Sequence, residues 1–407
     1  MLIDYWRFAR ANPRFIGFGL FLAFLSSAGQ TYFIGVFGSG IQAEFELDAG
    51  EWGRVYMIGT LVSALVLNWS GSLIDRYDLR WFTGIVLLGL VGASLVMSAV
   101  TLPLYLVGAI FLLRQFGQGL TSHAGITAMA RYHDANRGKA IALASMGFSL
   151  GEAVLPVLGV LALESIGWRE TYRLVAVAVA IAIPLSLWLL EGHGRRHAEH
   201  TEALDRRDAG QAAATDYNRL QVLSEARFYF ILPALTAPAA IGTALFFFPA
   251  EIVRAKGWSG LWLTGNYWMY SIVTVTVTIY SGLLIDRFSA RQVVPCYLLP
   301  FALALTVLGL WDHDWAVWPY LGFMGVCFGL YFTGFSALWA ELYGARHLGA
   351  IKSLTTAINV FSTALGPAFM GTLLSQGVSF ASICLIFAGY CVLTTLLLVY
   401  ALRAPGD

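Results

Sequence analysis

Two charged side chains, Arg114 and Glu152, interrupt long apolar stretches of this sequence. A guanidinium can hold a carboxylate through two parallel hydrogen bonds, and a carboxyl group nearby can take up and release a proton. An ionisable group within an apolar segment is costly to keep, so its presence there predicts a function. The two residues are therefore candidates for binding an anion and a proton. The alternative is a buried ion pair that only joins two segments.

Six further polar side chains occupy similar apolar stretches and could line the same pathway: Gln30, Tyr32, Gln118, His123, Tyr331 and Asn359. His123 could carry a proton near neutral pH, although a lone histidine is more often a hydrogen-bonded core residue. The four cysteines lie within apolar runs and have neither metal-ligand nor disulfide spacing. We expect neither a metal nor a cofactor.

The composition places these residues in a membrane protein. Of the 407 residues, 58% are hydrophobic and 12% are charged, whereas about 25% of the residues of a soluble protein are charged. A net charge of +1, without a basic stripe in the sequence, gives no reason to expect a nucleic-acid partner. The expected partners are the lipid bilayer and a small-molecule solute.

Twelve apolar runs are long enough, at about 20 residues each, to cross a bilayer as helices. These spans, numbered one to twelve in chain order, are expected at about 15–40, 51–72, 81–101, 103–129, 139–163, 170–190, 228–253, 260–283, 292–311, 315–340, 350–375 and 378–402. A polar segment, 191–227, separates span six from span seven. The sequence therefore predicts an all-α polytopic membrane protein of two six-helix bundles, 1–190 and 228–407, joined by a linker.

A short charged turn occurs twice in the chain. GSLIDRYDLR begins at Gly71 and GLLIDRFSAR begins at Gly282, an offset of 211 residues that also relates Gly138 to Gly349. A repeat of hydrophobic segments on this scale is typical of secondary transporters, whose solute site lies between the repeats. The chain is therefore expected to consist of two homologous halves.

Neither of the two intramembrane charges recurs in the second half. At the same offset Arg114 corresponds to Gly325, and Glu152 corresponds to Thr363. The architecture common to both halves does not need these charges, which favours the functional interpretation over the structural one.

The basic residues predict the orientation. Most of the 25 Lys and Arg residues fall on the side of the membrane that carries the N-terminus, the repeated turn and the linker. Cytoplasmic loops carry the excess of positive charge, so both termini are expected on the cytoplasmic side of a plasma or inner membrane. The N-terminus has no cleavage site that would indicate a removed signal peptide.

The repeated turn follows the second apolar run of each half and reads G-x-L-x-D-R-x-x-x-R, which resembles the cytoplasmic signature of the major facilitator superfamily. The basic turns closed by Gly138 and Gly349, and the GWRETYR turn before span six, are also similar to that family. The resemblance implies alternating access by two bundles in a protein that is usually a monomer. It also implies a cytoplasmic gate formed by Gly71, Asp75, Arg76, Arg80, Gly282, Asp286, Arg287 and Arg291.

In that gate, Asp75 is expected to accept hydrogen bonds from a helix start in the opposite half, near 349–353, because a helix N-terminus favours a carboxylate. Gly71 and Gly282 are expected to let their helices approach partners in the other half. The family's usual glycine midway through the turn is replaced by Asp78 in the first copy and by Ser289 in the second.

Span one ends in TYFIGVF and the next helix begins with EWG, which resembles the monocarboxylate and oxalate-formate porter branch of the family. That branch commonly has an arginine in span eight, whereas 260–283 is uncharged here, so anion binding would fall to Arg114. The resemblance implies a proton-coupled carrier of a small carboxylate or other organic anion.

This function has three alternatives. A proton-driven exporter of drugs or metabolites is the main alternative, although the LPVLG stretch of span five lacks the paired glycines of such exporters. An enzyme would need acids or histidines clustered at one membrane face, and the loops contain only charges that set the orientation in the membrane. A receptor that does not transport would be distinguished from both by an uptake assay.

Overall fold

The computed structural model describes residues 2–133, 136–192, 194, 219–344 and 348–403, and nearly all of these residues are helical. The long helices are Pro13–Leu25, Ala49–Ser70, Leu79–Ser98, Pro103–Leu113, Ser122–Tyr132, Arg137–Leu189, Ala226–Phe247, Tyr267–Phe288, Leu298–Leu310, Val317–Tyr343, Leu348–Ser375 and Phe380–Arg403. Shorter helical pieces precede, extend or join them: Leu2–Ala11, Ser26–Gly29, Thr31–Ile34, Gly35–Phe37, Gly38–Phe45, Gly71–Asp75, Arg114–Thr121, Arg219–Ser224, Pro249–Lys256, Gly260–Gly265, Ala290–Val293, Val294–Cys296 and Asp314–Ala316. The described residues include no strand.

Within this described part, nine helices are long and apolar enough to cross a membrane, and a bent pair, Pro13–Gly29 with Thr31–Phe45, makes a tenth. The helix Arg137–Leu189 has 53 residues, a length of about 80 Å against a bilayer core of about 30 Å. Gly167, with φ 78° and ψ 167°, breaks it into spans five and six. The predicted all-α polytopic membrane fold is confirmed.

Large apolar side chains cover the outer faces of these helices. Leu65, Leu104 and Ile181 are each more than two-thirds exposed. So many exposed large apolar side chains are unfavourable in water and indicate contact with lipid. The helices therefore have apolar surfaces on both sides, one against protein and one against the bilayer.

The chain packs as two compact units. The first consists of Met1–Gly40 and Ile58–Ala213, and the second of Ile41–Met57 and Ala214–Asp407. Ile41–Met57, the end of span one and the beginning of span two, thus groups with the second half of the chain, whereas the predicted bundles divided only within the linker. The domain division into 1–190 and 228–407 stays a prediction.

Side-chain packing explains why Ile41–Met57 belongs to the second unit. The Trp52 ring stacks on Phe247 at a centroid distance of 5.1 Å, and Tyr56 lies 4.3 Å from the same ring. A Cβ atom on Gly53 would lie 2.6 Å from the carbonyl oxygen of Pro367, and one on Gly371 would lie 2.2 Å from that of Ala49. Glycine at both positions lets the segment approach span eleven closely.

Candidate functional site

Span one is broken in the middle of its length. Its helix ends in a short 3₁₀ turn, Ser26–Gly29, and Gln30 then has an extended backbone with φ −80° and ψ 151°. Helix resumes at Thr31. An interrupted helix in a membrane exposes backbone carbonyl groups that other groups must satisfy, and such breaks often form binding sites in transporters.

Span four is irregular where it crosses this break. Arg114–Thr121 forms a π-helical segment between two regular α-helical pieces. A Cβ atom on Gly29 would lie 2.1 Å from the carbonyl oxygen of Leu113, and one on Gly117 would lie 2.7 Å from the Cα atom of Gly29. Glycines therefore let two irregular helices touch through their backbones, and π segments are frequent at functional sites.

Arg114 is held at this crossing. Its side chain is only 3% exposed, and its guanidinium donates to the carbonyl oxygen of Gly29 at 3.2 Å and to the Thr31 hydroxyl at 3.4 Å. The carbonyl group of Gly29 lies directly before the extended Gln30. The arginine thus stabilises the break by donating to the backbone at its edge.

Glu152 meets the same stretch of span one from span five. Tyr32 donates to the Ser27 hydroxyl at 2.7 Å, and a Cβ atom on Gly151 would lie 2.0 Å from the Ser27 Oγ atom. Glu152, the next residue, is half-buried and lies close enough to act electrostatically on the Tyr32 phenol. Gly151 is what allows span five to bring this carboxyl group so close.

Arg114 has acceptors on span one, namely the carbonyl oxygen of Gly29 and the Thr31 hydroxyl. The interrupted backbone at Gln30 places these oxygen atoms within reach of the guanidinium. The interpretation of Arg114 and Glu152 as a buried ion pair therefore stays an alternative to their predicted roles in binding an anion and a proton.

Hydrogen bonds of Gln115, which was not among the predicted residues, join the π segment to span two. Gln115 is 3% exposed; its Oε1 atom accepts from Ser63 at 3.1 Å, and its Nε2 atom donates to Ser70 at 2.7 Å. Both serines belong to span two. Polar residues alternating with glycines inside an apolar run are the signal that could have pointed to this segment.

The other predicted residues of the first unit fall in two places. Gln30, at the break, and Gln118, in the π segment, are both half-buried beside Arg114. His123 lies further along span four, where its Nε2 atom is 3.2 Å from the carbonyl oxygen of Gly71 and its Nδ1 atom is 3.3 Å from the Thr127 hydroxyl. This histidine joins span four to the end of span two.

Tyr331 and Asn359 belong to the second unit. The two side chains lie within hydrogen-bonding reach of each other, and the Tyr331 ring stacks on Tyr297 at 6.0 Å. Tyr297 in turn donates to the carbonyl oxygen of Ala234. The pair joins spans ten and eleven, and a role in substrate binding remains a prediction for both residues.

The two copies of the charged turn fold differently. In the first, a 3₁₀ segment, Gly71–Asp75, ends span two, and the Asp78 side chain accepts from the Arg80 backbone N–H at 2.8 Å. The Arg80 guanidinium donates to the carbonyl oxygen of Leu190 at 3.0 Å. The residue that replaces the family's glycine is therefore the N-cap of span three.

In the second copy, the helix of span eight continues to Phe288 and the turn is made by Ser289 alone. Ser289 has φ 68° and ψ 155°, a conformation that favours glycine. The next helix start is capped from span ten, where Glu341 accepts from the backbone N–H groups of Ala290 at 2.7 Å and Arg291 at 3.2 Å. The same motif is thus stabilised in two ways.

The approach of Gly71 and Gly282 to partners in the other half stays a prediction. Within the first unit, a Cβ atom on Gly71 would lie 3.7 Å from the His123 Nε2 atom. The side chain of Asp75 and residues 345–347 are outside the described part, so the contact of Asp75 near 349–353 stays a prediction. The remaining gate side chains are exposed: Arg76, Asp286, Arg287 and Arg291.

Comparison with known proteins gives the following similarities. A family model described as Major Facilitator Superfamily matches residues 19–274 and 260–407. Human Monocarboxylate transporter 6 is 33% identical over 142 residues, which is 34% of this chain and 28% of that protein. The match therefore spans less than a third of the length of that relative.

Solved structures with the same fold cover nearly the whole chain. The nucleoside transporter NupG has a TM-score of 0.70 at 15% identity, covering 96% of this chain and 99% of its own. A bacterial homologue of the human lysosomal transporter Spinster, inward-facing and occupied, has a TM-score of 0.67 at 16% identity, covering 97% and 95%. At these identities the likeness concerns the fold.

Proposed function

Because this chain belongs to the Major Facilitator Superfamily and is a membrane transporter rather than an enzyme, we propose that it carries a small organic anion together with a proton. The anion is a carboxylate or a similarly planar group. The observation that carries the proposal is the buried guanidinium of Arg114 at the crossing of two interrupted helices. The similarity of part of the chain to a protein named a monocarboxylate transporter supports the same substrate class.

The chemistry of Arg114 suits an exchange of acceptors. In this structure its guanidinium donates to two neutral oxygen atoms of span one, those of Gly29 and Thr31. Charge-assisted hydrogen bonds to a carboxylate are roughly twice as strong as bonds between neutral groups, and a guanidinium can make two of them in parallel. A bound carboxylate would therefore replace the oxygen atoms of span one as the acceptor.

Glu152 supplies the proton site in this proposal. It follows Gly151, which packs against the Ser27 and Tyr32 side chains next to the same break, and it acts electrostatically on Tyr32. Protonation would remove a negative charge near the incoming anion, so the loaded carrier would hold compensated charges while it changes conformation. Release of the proton on the other side of the membrane would then favour release of the anion.

Alternating access requires that packed segments separate. The seam between Ile41–Met57 and span eleven, where Gly53 meets Pro367 and Gly371 meets Ala49, is proposed as a contact that opens in part of the cycle. The repeated turn is proposed as the gate on the cytoplasmic side, with both termini on that side. The protein is proposed to act as a monomer in a plasma or inner membrane.

The test is uptake into proteoliposomes over a panel of labelled mono- and dicarboxylates, with and without an inward pH gradient. Arg114→Lys should lower kcat/KM for the transported anion by about 10- to 100-fold, because a lysine lacks the two-pronged donor geometry. Arg169→Lys is the matched control, since Arg169 also donates to a backbone carbonyl group, that of Ser98, at 2.8 Å. Its uptake should stay near that of the wild type.

Normal anion uptake by a well-folded Arg114→Lys variant would overturn the role of the arginine. Uptake of neutral or cationic solutes but of no anion would overturn the substrate class. Running the same assay with an outward gradient detects the alternative of proton-driven export.

A further inference from the structure

We propose that the helix Leu2–Ala11 is an interfacial anchor whose outer face binds the headgroups of anionic phospholipids. This helix precedes span one and is separate from it. Asn12 has a non-helical backbone, with φ −132° and ψ 47°, and Pro13 begins the next helix. Its sequence, LIDYWRFARA, combines aromatic residues with Arg7 and Arg10. A short amphipathic helix of this composition is typical of segments that lie in the membrane surface.

One side of this helix is already occupied by the protein. Phe8 makes an edge-on contact with the His133 ring at 5.1 Å, and Phe15 of span one lies 5.5 Å from the same ring. His133 directly follows Tyr132, the last residue of span four. The contact therefore holds the helix at the level where the spans end, which is the level of the lipid headgroups.

The opposite side faces outward and is aromatic and basic. At about 100° per residue, Trp6, Arg7 and Arg10 fall within one arc of about 100°, on the far side from Phe8. Trp6 is 61% exposed, Arg7 and Arg10 are exposed, and the Arg10 guanidinium lies 5.1 Å over the Trp6 ring. Tryptophan prefers the membrane interface, and arginine there attracts anionic lipid.

A second arginine–tryptophan pair lies at the same end of the first unit. Arg14 lies 4.8 Å over the Trp188 ring and forms an ion pair with Glu191 at 2.8 Å. Because Glu191 already accepts from Arg14, the outer face of Leu2–Ala11 has the greater capacity for a phosphate group. Charge complementarity thus selects an anionic phospholipid, and the bulk zwitterionic lipid fits the face less well.

The experiment measures binding of phosphatidylglycerol and phosphatidylcholine, presented in mixed micelles, to the purified full-length protein. The test variant is Arg7→Gln/Arg10→Gln. The matched control is Arg54→Gln/Arg173→Gln, which removes the same charge from two exposed arginines outside this helix. We expect the test variant to bind phosphatidylglycerol about 25-fold more weakly, roughly fivefold per arginine, and the control to bind as the wild type does.

Two further measurements keep the outcome clear. Arg7→Lys/Arg10→Lys retains the charge and should bind phosphatidylglycerol within about twofold of the wild type, which separates lipid binding from misfolding. Quenching by brominated phosphatidylglycerol should be greater in the wild type than in Trp6→Phe, which places the Trp6 indole in the lipid. Equal binding of both lipids by the wild type, or unchanged binding by the glutamine variant, would overturn the proposal.

Discussion

Arg114 and Glu152 reach the same few residues of span one from two different helices. Arg114 donates to Gly29 and Thr31, and Glu152 acts electrostatically on Tyr32. In the proposed cycle, a change in the charge of Glu152 would act on Arg114 through the backbone around Gln30.

Glu152→Gln should separate exchange from accumulation. The amide is isosteric with a protonated carboxyl group but cannot release a proton, so the loaded form would still cross the membrane. We expect anion exchange at near wild-type rates, while accumulation driven by a pH gradient falls to a ratio of about one. Counterflow and gradient-driven uptake in the same proteoliposomes measure the two activities.

Glu164→Gln provides the control for that experiment. Glu164 belongs to the same helix as Glu152 but is exposed, so its loss should leave both activities unchanged. If Glu152→Gln still accumulates the anion in response to a pH gradient, the proton is carried elsewhere. His123 would then be the residue to examine, despite its bonds to Gly71 and Thr127.

The sequence could predict that Arg114 and Glu152 lie within membrane-spanning helices, because charge in an apolar segment is rare and therefore easy to recognise. It could not predict the acceptors of Arg114, the Gly29 carbonyl oxygen and the Thr31 hydroxyl. These acceptors lie on either side of the extended Gln30, and span four is π-helical at the same crossing. Spans one and four approach there at Gly29 and Gly117, and such a contact depends on tertiary packing.

The two copies of the repeated turn are similar in sequence but differ in backbone conformation. Asp78 and Ser289 occupy equivalent places in the repeat, yet Asp78 caps the following helix with φ −56° and Ser289 has φ 68°. Glu341 provides the cap in the second copy. The sequence repeat predicted the positions of the two turns, whereas their conformations depend on local hydrogen bonds that differ between the copies.

Ser289→Gly should therefore stabilise the protein. The conformation of Ser289 costs a non-glycine residue about 1–3 kcal/mol, against which glycine loses about 0.5–1 kcal/mol of chain entropy. A net gain of about 1 kcal/mol would raise the midpoint of thermal unfolding by about 2–4 °C for a unit of this size. Thermal unfolding of the detergent-solubilised protein, followed by intrinsic fluorescence, measures the shift.

Two variants test the reason for that gain. Ser289→Ala keeps the strained backbone and should bring no increase in the midpoint. Asp78→Gly, at the equivalent place of the first copy, removes an N-cap and should cost a few tenths of a kcal/mol of stability, which lowers the midpoint slightly. A midpoint that rises equally in Ser289→Ala and Ser289→Gly would contradict the strain argument.

The division of the whole molecule was the least predictable feature. Apolar length and the repeat predicted twelve spans and two halves, and these signals lie in the sequence itself. The membership of Ile41–Met57 in the second unit depends on Trp52 and Tyr56 meeting Phe247, residues separated by about 190 positions. No local pattern identifies which distant surface a helix will contact.

Gly371→Ala should weaken this packing. The added methyl group would lie 2.2 Å from the carbonyl oxygen of Ala49, so the segment must move away from span eleven. We expect faster hydrogen exchange at the amides of Ile41–Met57, by about 10-fold or more if the change costs about 1.5 kcal/mol. Mass spectrometry of peptides from the reconstituted protein measures this exchange.

Gly389→Ala is the matched control, because no heavy atom of the described residues would lie within 4 Å of its added methyl group. It should leave exchange in Ile41–Met57 unchanged. If Gly371→Ala also leaves that exchange unchanged, the close contact with Ala49 does not hold the segment, and the proposed opening of this seam would lose its basis.

The placement of Ile41–Met57 also sets the order of events during biosynthesis. The ribosome completes this segment about 310 residues before it reaches Gly371, which at about 5–20 residues per second is a wait of roughly 15–60 s. Throughout that interval Ala49 and Gly53 have yet to meet their partners on span eleven, Gly371 and Pro367. Until then the translocon, the lipid or a chaperone must cover the exposed surface of Ile41–Met57. Insertion of the first spans into the membrane therefore precedes their packing against span eleven.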